Sequence, residues 1–113
     1  MDLQEIILVL INYDQQARED YKASPSSIYY WILASSSIYY LNAEMTPLLS
    51  DECFDEMCLH LLNNYDSIPK HSMLHHLVTK DNLQSGSFYN LIDIHYPIWL
   101  VRIAQDMSNK LGG

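Results

Sequence analysis

Apolar and polar side chains separate at helical spacing along the start of the chain. The apolar side carries Leu3, Ile6, Ile7, Leu10, Ala17 and Tyr21, and the opposite side carries Gln4, Gln15, Arg18 and Glu19. Because residues three or four apart share one face of an α-helix, this pattern predicts an amphipathic first helix over residues 3–21.

The next segment, residues 26–42, is apolar or aromatic almost all the way round, which is typical of a helix at the centre of a bundle. Ser24 predicts its N-cap, and Pro25 its first helical position, where a missing N–H costs nothing. The segment contains the aromatic residues Tyr29, Tyr30, Trp31, Tyr39 and Tyr40. So small a core cannot bury all of them, and we expect some to line a groove or to contact a partner.

A third helix is predicted to start after Ser50, which can act as its N-cap, and to end near Asn63 or Asn64. Its apolar stripe at i, i+3, i+4, i+7 and i+8 consists of Phe54, Met57, Cys58, Leu61 and Leu62.

The periodicity weakens over residues 67–97, so we expect an irregular segment there, in which Thr79 caps one short helical turn that ends at Gly86. Pro97 then opens a last helix that stops at Gly112. One side of this helix carries Trp99, Ile103 and Met107. The patterns together predict a mainly α fold, a small single-domain bundle of about four helices over residues 1–113, with a long irregular segment before the last helix.

Length and composition are consistent with one soluble domain. The chain has 113 residues, 49% of them hydrophobic, and no apolar run approaches the length that spans a bilayer. The N-terminal stretch carries Asp2 and Glu5 where a signal peptide has basic residues. Cys53 and Cys58 lie five positions apart on one predicted helix, which turns them away from each other and disfavours a disulfide. We therefore expect a cytoplasmic protein with no membrane partner.

The net charge of −8, from 14 acidic and 6 basic residues, has the wrong sign for attraction to a phosphate backbone. Direct binding to nucleic acid is therefore not expected. The charge is suited to a basic protein surface, although simple solubility explains it as well.

The acidic segment SDECFDEMC, residues 50–58, has two interpretations. Acidic residues are favoured in the first turn of a helix, because they oppose the positive end of the helix dipole. That explains Asp51 and Glu52 better than Asp55. Asp51 and Asp55 also flank Phe54 at the edge of the apolar stripe, where an adjoining element would pack, and they can instead form part of a ligand site.

A resemblance bears on this choice. Residues 39–55, YYLNAEMTPLLSDECFD, resemble the start of the small N-terminal helical module of NAD-dependent DNA ligases, which recognises the nicotinamide mononucleotide (NMN) half of NAD. The family pattern is Tyr-His, a short loop with proline, then Asp-x-x-Tyr-Asp and an amphipathic helix. Tyr39, Asp51 and Asp55 match it, whereas Tyr40 stands at the histidine and Phe54 at the second tyrosine. The resemblance covers about residues 28–65. The candidate ligand-binding residues that it implies are Tyr39, Tyr40, Asp51, Phe54 and Asp55.

The second half of the chain, residues 71–104, is similar to small stand-alone phage proteins described as DNA-ligase-related. These proteins share a His-rich stretch, the sequence pattern LVT..DLQ.GS, and Tyr-Pro before a final helix. This similarity implies a phage or prophage origin, and hence a host cytoplasm, rather than a reaction.

No catalytic motif is visible. Ligase chemistry needs a nucleophilic lysine in a Lys-x-Asp-Gly setting, and the closest text, TKDN at residues 79–82, lacks it. Phosphate-binding loops, nucleophile elbows and zinc-protease motifs do not occur. We therefore expect no enzyme and no cofactor, apart from NMN or NAD as a ligand.

A histidine cluster, His71, His75 and His76, has one pair at the i, i+4 spacing of some zinc sites, but no evident third ligand. Hydrogen-bonded or surface histidines are the commoner outcome. The cluster can also hydrogen-bond Asp51 or Asp55, if the fold brings them together.

Two functions follow. The first is a small accessory protein that binds a host or phage protein, such as a DNA-metabolic or defence factor, through an acidic and Tyr-rich helical surface. The alternative is a module that binds NMN or NAD. The first function is favoured, because two polar groups of the ligase pattern are changed here, at Tyr40 and Phe54. A second copy of the chain is a further candidate partner for the surplus aromatic surface.

Overall fold

The computed structural model describes residues 12–88, 91 and 95–112. They form five α-helices: α1 (Asp14–Ala23), α2 (Ser27–Leu41), α3 (Asp51–Asn63), α4 (Lys80–Ser85) and α5 (Ile98–Gly112). A single 3-10 turn, His75–Leu77, precedes α4. Four of the helices are long, and no strand occurs within these residues. The predicted mainly α fold is confirmed.

The first helix differs from its prediction over residues 3–21. Residues 3–11 lie outside those that the structure describes, and α1 begins at Asp14 rather than running through Asn12 and Tyr13. Asn12 Oδ1 accepts a hydrogen bond from the Asp14 N–H at 3.0 Å, and the Tyr13 N–H donates to Leu48 O at 2.7 Å. A helix cannot continue through Asn12 and Tyr13, because these contacts hold the backbone in another conformation.

The second helix, α2, is the central helix of the bundle, as predicted. It contacts α1, α3 and α5. Its buried residues point in every direction round the axis: Ile28, Tyr29, Trp31, Ile32, Leu33, Ala34, Ser36, Ser37 and Ile38. The aromatic residues do divide between core and surface, since Tyr29 is fully buried while Tyr39 is 65% exposed.

The predicted start of α2 is wrong by two residues. Ser24 is the C-cap of α1, where its N–H donates to Asp20 O, and α2 begins at Ser27 with Ser26 in the N-cap position. Because α1 extends to Ala23, Ser24 ends that helix, and Pro25 lies in the turn between the two helices.

The third helix, α3, starts and ends where the sequence predicts. Ser50 Oγ accepts a hydrogen bond from the Cys53 N–H at 3.1 Å, which is a side-chain N-cap. Asp14 holds this cap in place, because its carboxylate accepts from the Ser50 N–H at 2.8 Å and from the Ser50 hydroxyl at 2.6 Å. The start of α1 is thereby joined to the start of α3.

The short helix α4 is also where the sequence predicts it. Thr79 Oγ1 accepts from the Asn82 N–H, and Asn82 Oδ1 accepts from the Thr79 N–H, which completes a capping box. Gly86 ends the helix in the left-handed conformation with φ of 69°. α4 packs against α3 and brings Gly86 to the same side of the molecule as the start of α3.

The last helix, α5, starts after Pro97 as predicted, and its most buried side lies next to the stripe of Trp99, Ile103 and Met107. Leu100, Ala104 and Ser108 are buried, whereas Trp99 and Ile103 are 37% and 42% exposed. The two stripes are offset by one residue, or about 100° round the helix. No helix in residues 12–88 and 95–112 is long and apolar enough to cross a membrane.

Candidate ligand-binding cleft

A cleft of about 280 Å³ opens between the C-terminal half of α2, the first turns of α3 and the end of α4. Its lining residues are Ser35, Ser36, Tyr39, Tyr40, Pro47, Leu48, Asp51, Phe54, Asp55 and Gly86. The structure thus brings together all five candidate residues, Tyr39, Tyr40, Asp51, Phe54 and Asp55. This volume is just below the usual range for ligand pockets, which is about 300 to 1,000 Å³.

Helical geometry explains why these residues meet. On α3, Asp51, Phe54 and Asp55 occupy positions i, i+3 and i+4, so they share one face. The packing of α3 on α2 places that face beside Tyr39 and Tyr40, which lie in the last turn of α2. The acidic turn is therefore both a helix start and one wall of the cleft.

Aromatic residues form much of the remaining wall. The rings of Tyr39 and Tyr40 meet edge to face, with centroids 4.9 Å apart, and Phe54 meets the buried Phe88 in the same way at 6.1 Å. Tyr39 is 65% exposed, so much of its ring remains accessible from solvent. Edge-to-face pairs hold rings in a defined orientation.

The hydroxyl of Tyr40 is used within the chain. It accepts a hydrogen bond from the Phe88 N–H at 3.3 Å and pairs with Ser87 Oγ at 3.2 Å. Tyr40 stands where the ligase pattern has histidine, and here its polar tip ties the segment after α4 to α2. Tyr40 therefore contributes its ring to the cleft and its hydroxyl to the fold.

Gly86 was not anticipated as a cleft residue. A Cβ added to it would lie 3.8 Å from Asp55 Oδ1, so the end of α4 approaches the acidic pair closely. Nothing near Gly86 in the sequence signals this, because the contact arises when α4 packs on α3. Ser35 and Ser36 were missed too, although they lie four residues before Tyr39 and Tyr40 and therefore on the same face of α2.

The charged side chains that line the cleft are both acidic. Asp51 and Asp55 are both exposed, and none of the 6 lysines and arginines lines the cleft. The ion pairs of the described residues lie elsewhere, between Arg18 and Glu56 at 3.0 Å and between Lys80 and Asp66 at 3.9 Å. Neither cleft carboxylate is neutralised by a described side chain.

Two serine hydroxyls at the cleft differ in their bonding. Ser36 Oγ pairs with the Tyr96 hydroxyl at 2.9 Å, and burial raises the pKa of Tyr96 to about 12. Ser35 Oγ is shielded from solvent and has no hydrogen-bond partner among the described residues. A buried hydroxyl without a partner is costly, so Ser35 is the one lining group with an unmet need for a polar contact.

The histidine cluster lies apart from this arrangement. His71 Nδ1 accepts from the Met73 N–H at 3.2 Å, and His75 Nδ1 lies 2.8 Å from His71 O. The rings of His75 and His76 meet edge to face at 6.0 Å. No group of three or more metal-ligating side chains is close enough to hold an ion within the described ranges. Among the described residues, no hydrogen bond or ion pair joins this cluster to Asp51 or Asp55, so the hypothesis of such a bond is not met.

Both cysteines are free and buried in the core. Burial, with the nearby Asp14 carboxylate, raises the pKa of Cys53 to about 12. Burial, with Asp55, likewise raises the pKa of Cys58 to about 12. Thiols held in this protonated form are poor nucleophiles and poor metal ligands, so they act as small core residues.

Comparison of the chain with protein-family models, curated proteins and solved structures found no match. The resemblance to the ligase module and to phage proteins stays a prediction.

Proposed function

We propose that this protein is a non-catalytic module that binds a small ligand, a nicotinamide nucleotide such as NMN or NAD, in the cleft between α2 and α3. The observation that carries the proposal is the convergence of Tyr39, Tyr40, Asp51, Phe54 and Asp55 on one cleft. The resemblance to the ligase module implies these residues independently of any cavity, and they come from two helices and span 17 positions of the chain.

The composition of the cleft supports this choice. Ligand pockets are concave and mostly apolar or aromatic, with a few polar groups that orient the ligand. Tyr39 and Phe54 supply aromatic surface, while Asp51 and Asp55 supply the polar groups. The small volume suits the nicotinamide and ribose end of a dinucleotide better than the whole molecule.

Thermal unfolding with and without millimolar NMN and NAD tests the proposal. Ligand at about 100 times its dissociation constant stabilises the folded state by about 2.7 kcal/mol, which raises the melting temperature by several degrees in a domain of this size. We expect such a shift for the wild type. Asp51→Asn should lose the shift, while its melting temperature without ligand should stay close to that of the wild type.

Glu52→Gln is the matched control. Glu52 is exposed, lies next to Asp51 in the first turn of α3 and does not line the cleft. The variant removes the same charge from the same turn, so it should keep the ligand response. The proposal fails if neither compound shifts the wild-type melting temperature.

A second candidate is docking on a host or phage protein with a basic surface. The observation that favours it is the exposed apolar side of α5, where Ile98, Trp99 and Ile103 are 69%, 37% and 42% exposed. Tryptophan and tyrosine are common anchors at protein interfaces, and a net charge of −8 would steer a basic partner. Co-purification from host lysate at low and high salt, comparing wild type with Trp99→Ala, tests it. Recovery of the same proteins by both chains would contradict it.

A further inference from the structure

We propose that, among nicotinamide compounds, the cleft prefers a planar organic cation without a phosphate to one that carries a phosphate. This inference rests on the proposed function and restricts its ligand class: the cleft should prefer the positively charged pyridinium ring of a nicotinamide nucleoside to the phosphorylated nucleotide and to the reduced, uncharged ring. A small ligand of this class is N-methylnicotinamide, here the quaternary pyridinium that is methylated on the ring nitrogen.

The charges at the cleft disfavour a phosphate. Asp51 and Asp55 both line it, and no lysine, arginine or histidine does. A phosphate monoester carries about −1.5 to −2 charges at neutral pH. Phosphate sites in proteins supply arginine, lysine or clustered backbone N–H groups, and this cleft faces the phosphate with two carboxylates instead.

The positive end of the α3 dipole does not reverse this balance. A helix N-terminus is equivalent to about half a positive charge, whereas the two carboxylates on its first two turns each carry a full negative charge. The Cys53 N–H, which has no partner within the helix, donates to Ser50 Oγ at 3.1 Å and is therefore not available to a ligand. The local field therefore remains attractive for cations.

The aromatic wall favours the same class of ligand. A cation is attracted to the face of an aromatic ring, and quaternary ammonium groups are recognised by several such rings together. Tyr39, Tyr40 and Phe54 all line the cleft, and Tyr39 is 65% exposed. A pyridinium ring can stack on such a wall and lie near the carboxylates at once, whereas a dihydropyridine ring stacks without the charge.

Isothermal titration with a matched series of probes tests the inference on the full chain. The probes are N-methylnicotinamide, nicotinamide riboside, NMN and the reduced riboside. We expect the riboside to bind at least about fivefold more tightly than the reduced riboside, because a cation–π contact in a partly exposed site contributes about that much. NMN should bind more weakly than the riboside, and the difference should shrink as salt is raised.

Variants assign the selectivity to the acidic pair. Asp51→Asn and Asp55→Asn should each weaken binding of the riboside. Each should also bring the dissociation constant of the riboside closer to those of NMN and the reduced riboside. Glu52→Gln should leave all these ratios unchanged.

The outcomes separate the inference from the proposed function. NMN binding as tightly as the riboside, or the reduced ring binding as tightly as the cation, would overturn the inference and leave nicotinamide binding in place. Failure of every probe to bind would overturn both.

Discussion

The carboxylate of Asp14 holds Ser50 with two hydrogen bonds, from the Ser50 N–H at 2.8 Å and from the Ser50 hydroxyl at 2.6 Å. The same hydroxyl accepts from the Cys53 N–H and so caps α3. Asp14 and Ser50 are 36 positions apart, and their contact sets where α3 begins relative to α1. Since Asp51 follows Ser50 directly, the contact also sets one wall of the cleft.

Replacing Asp14 should therefore destabilise the fold. Hydrogen bonds to a charged group contribute about 1.5 to 3 kcal/mol, so we expect Asp14→Ala to lower the free energy of unfolding by about 2 kcal/mol. Urea unfolding measures this. Glu19→Ala, at an exposed position of the same helix, should change stability by less than about 0.5 kcal/mol. Equal effects of the two variants would show that the contact does not stabilise the fold.

Tyr40→Phe removes the hydroxyl that binds the Phe88 N–H and Ser87 Oγ. One ordinary hydrogen bond is worth about 1 kcal/mol, and a part-buried N–H loses its partner, so we expect the melting temperature to fall by about 4 to 8 °C. Circular dichroism on heating measures it. Tyr39→Phe, at the neighbouring exposed tyrosine, is the control, and an equal fall there would contradict the assignment.

Gly86 should tolerate asparagine better than alanine. Its φ of 69° lies in the left-handed region, which costs an ordinary L-residue roughly 1 to 2 kcal/mol, while asparagine visits that region more readily. The cleft leaves room, because the added Cβ would be 3.8 Å from Asp55 Oδ1. We expect Gly86→Ala to destabilise by about 1 kcal/mol and Gly86→Asn by less. If urea unfolding shows Gly86→Asn to be less stable than Gly86→Ala, the left-handed backbone conformation is not the cause of the destabilisation.

The two cysteines should react slowly with thiol reagents in the native protein. Their pKa values are raised to about 12, so few thiolates form at pH 8. We expect slow labelling by a chromogenic disulfide under native conditions and rapid labelling of two thiols per chain in denaturant. Rapid native labelling would mean that Cys53 or Cys58 is accessible.

Stability should fall at alkaline pH. The folded-state pKa values of Cys53 and Cys58 are raised from 9.0 to about 12, and that of Tyr96 from 10.0 to about 12. The unfolded chain therefore releases these protons at lower pH than the folded chain does. Their contribution to stability is complete below about pH 9 and is lost as the pH rises toward 12.

Melting temperatures between pH 8 and pH 10.5 measure this loss. The double variant Cys53→Ala/Cys58→Ala should show a shallower decline than wild type, because only the tyrosines then contribute. Identical declines in the two proteins would exclude the cysteines as the cause.

Interactions between residues close in sequence specify part of this architecture, and that part can be predicted from the order of residues. The Ser50 cap, the end of α3 near Asn63 and the turn from Thr79 to Gly86 were all predicted, because each depends on groups within four or so positions. The central place of α2 was predictable as well, since it has no polar face. Selecting Asp51, Phe54 and Asp55 as neighbours needed only helical spacing.

The rest of the architecture depends on contacts between distant parts of the chain, which local sequence patterns do not reveal. The first helix starts at Asp14 because Tyr13 bonds Leu48, 35 positions away. Packing on α2 selects Leu100 rather than Trp99 for the core side of α5, although both residues are apolar. Gly86 reaches Asp55 only once α4 lies on α3. The spacing of apolar residues along each helix specifies its apolar faces. The packing of the helices against one another determines which of these faces are buried and where a cleft remains.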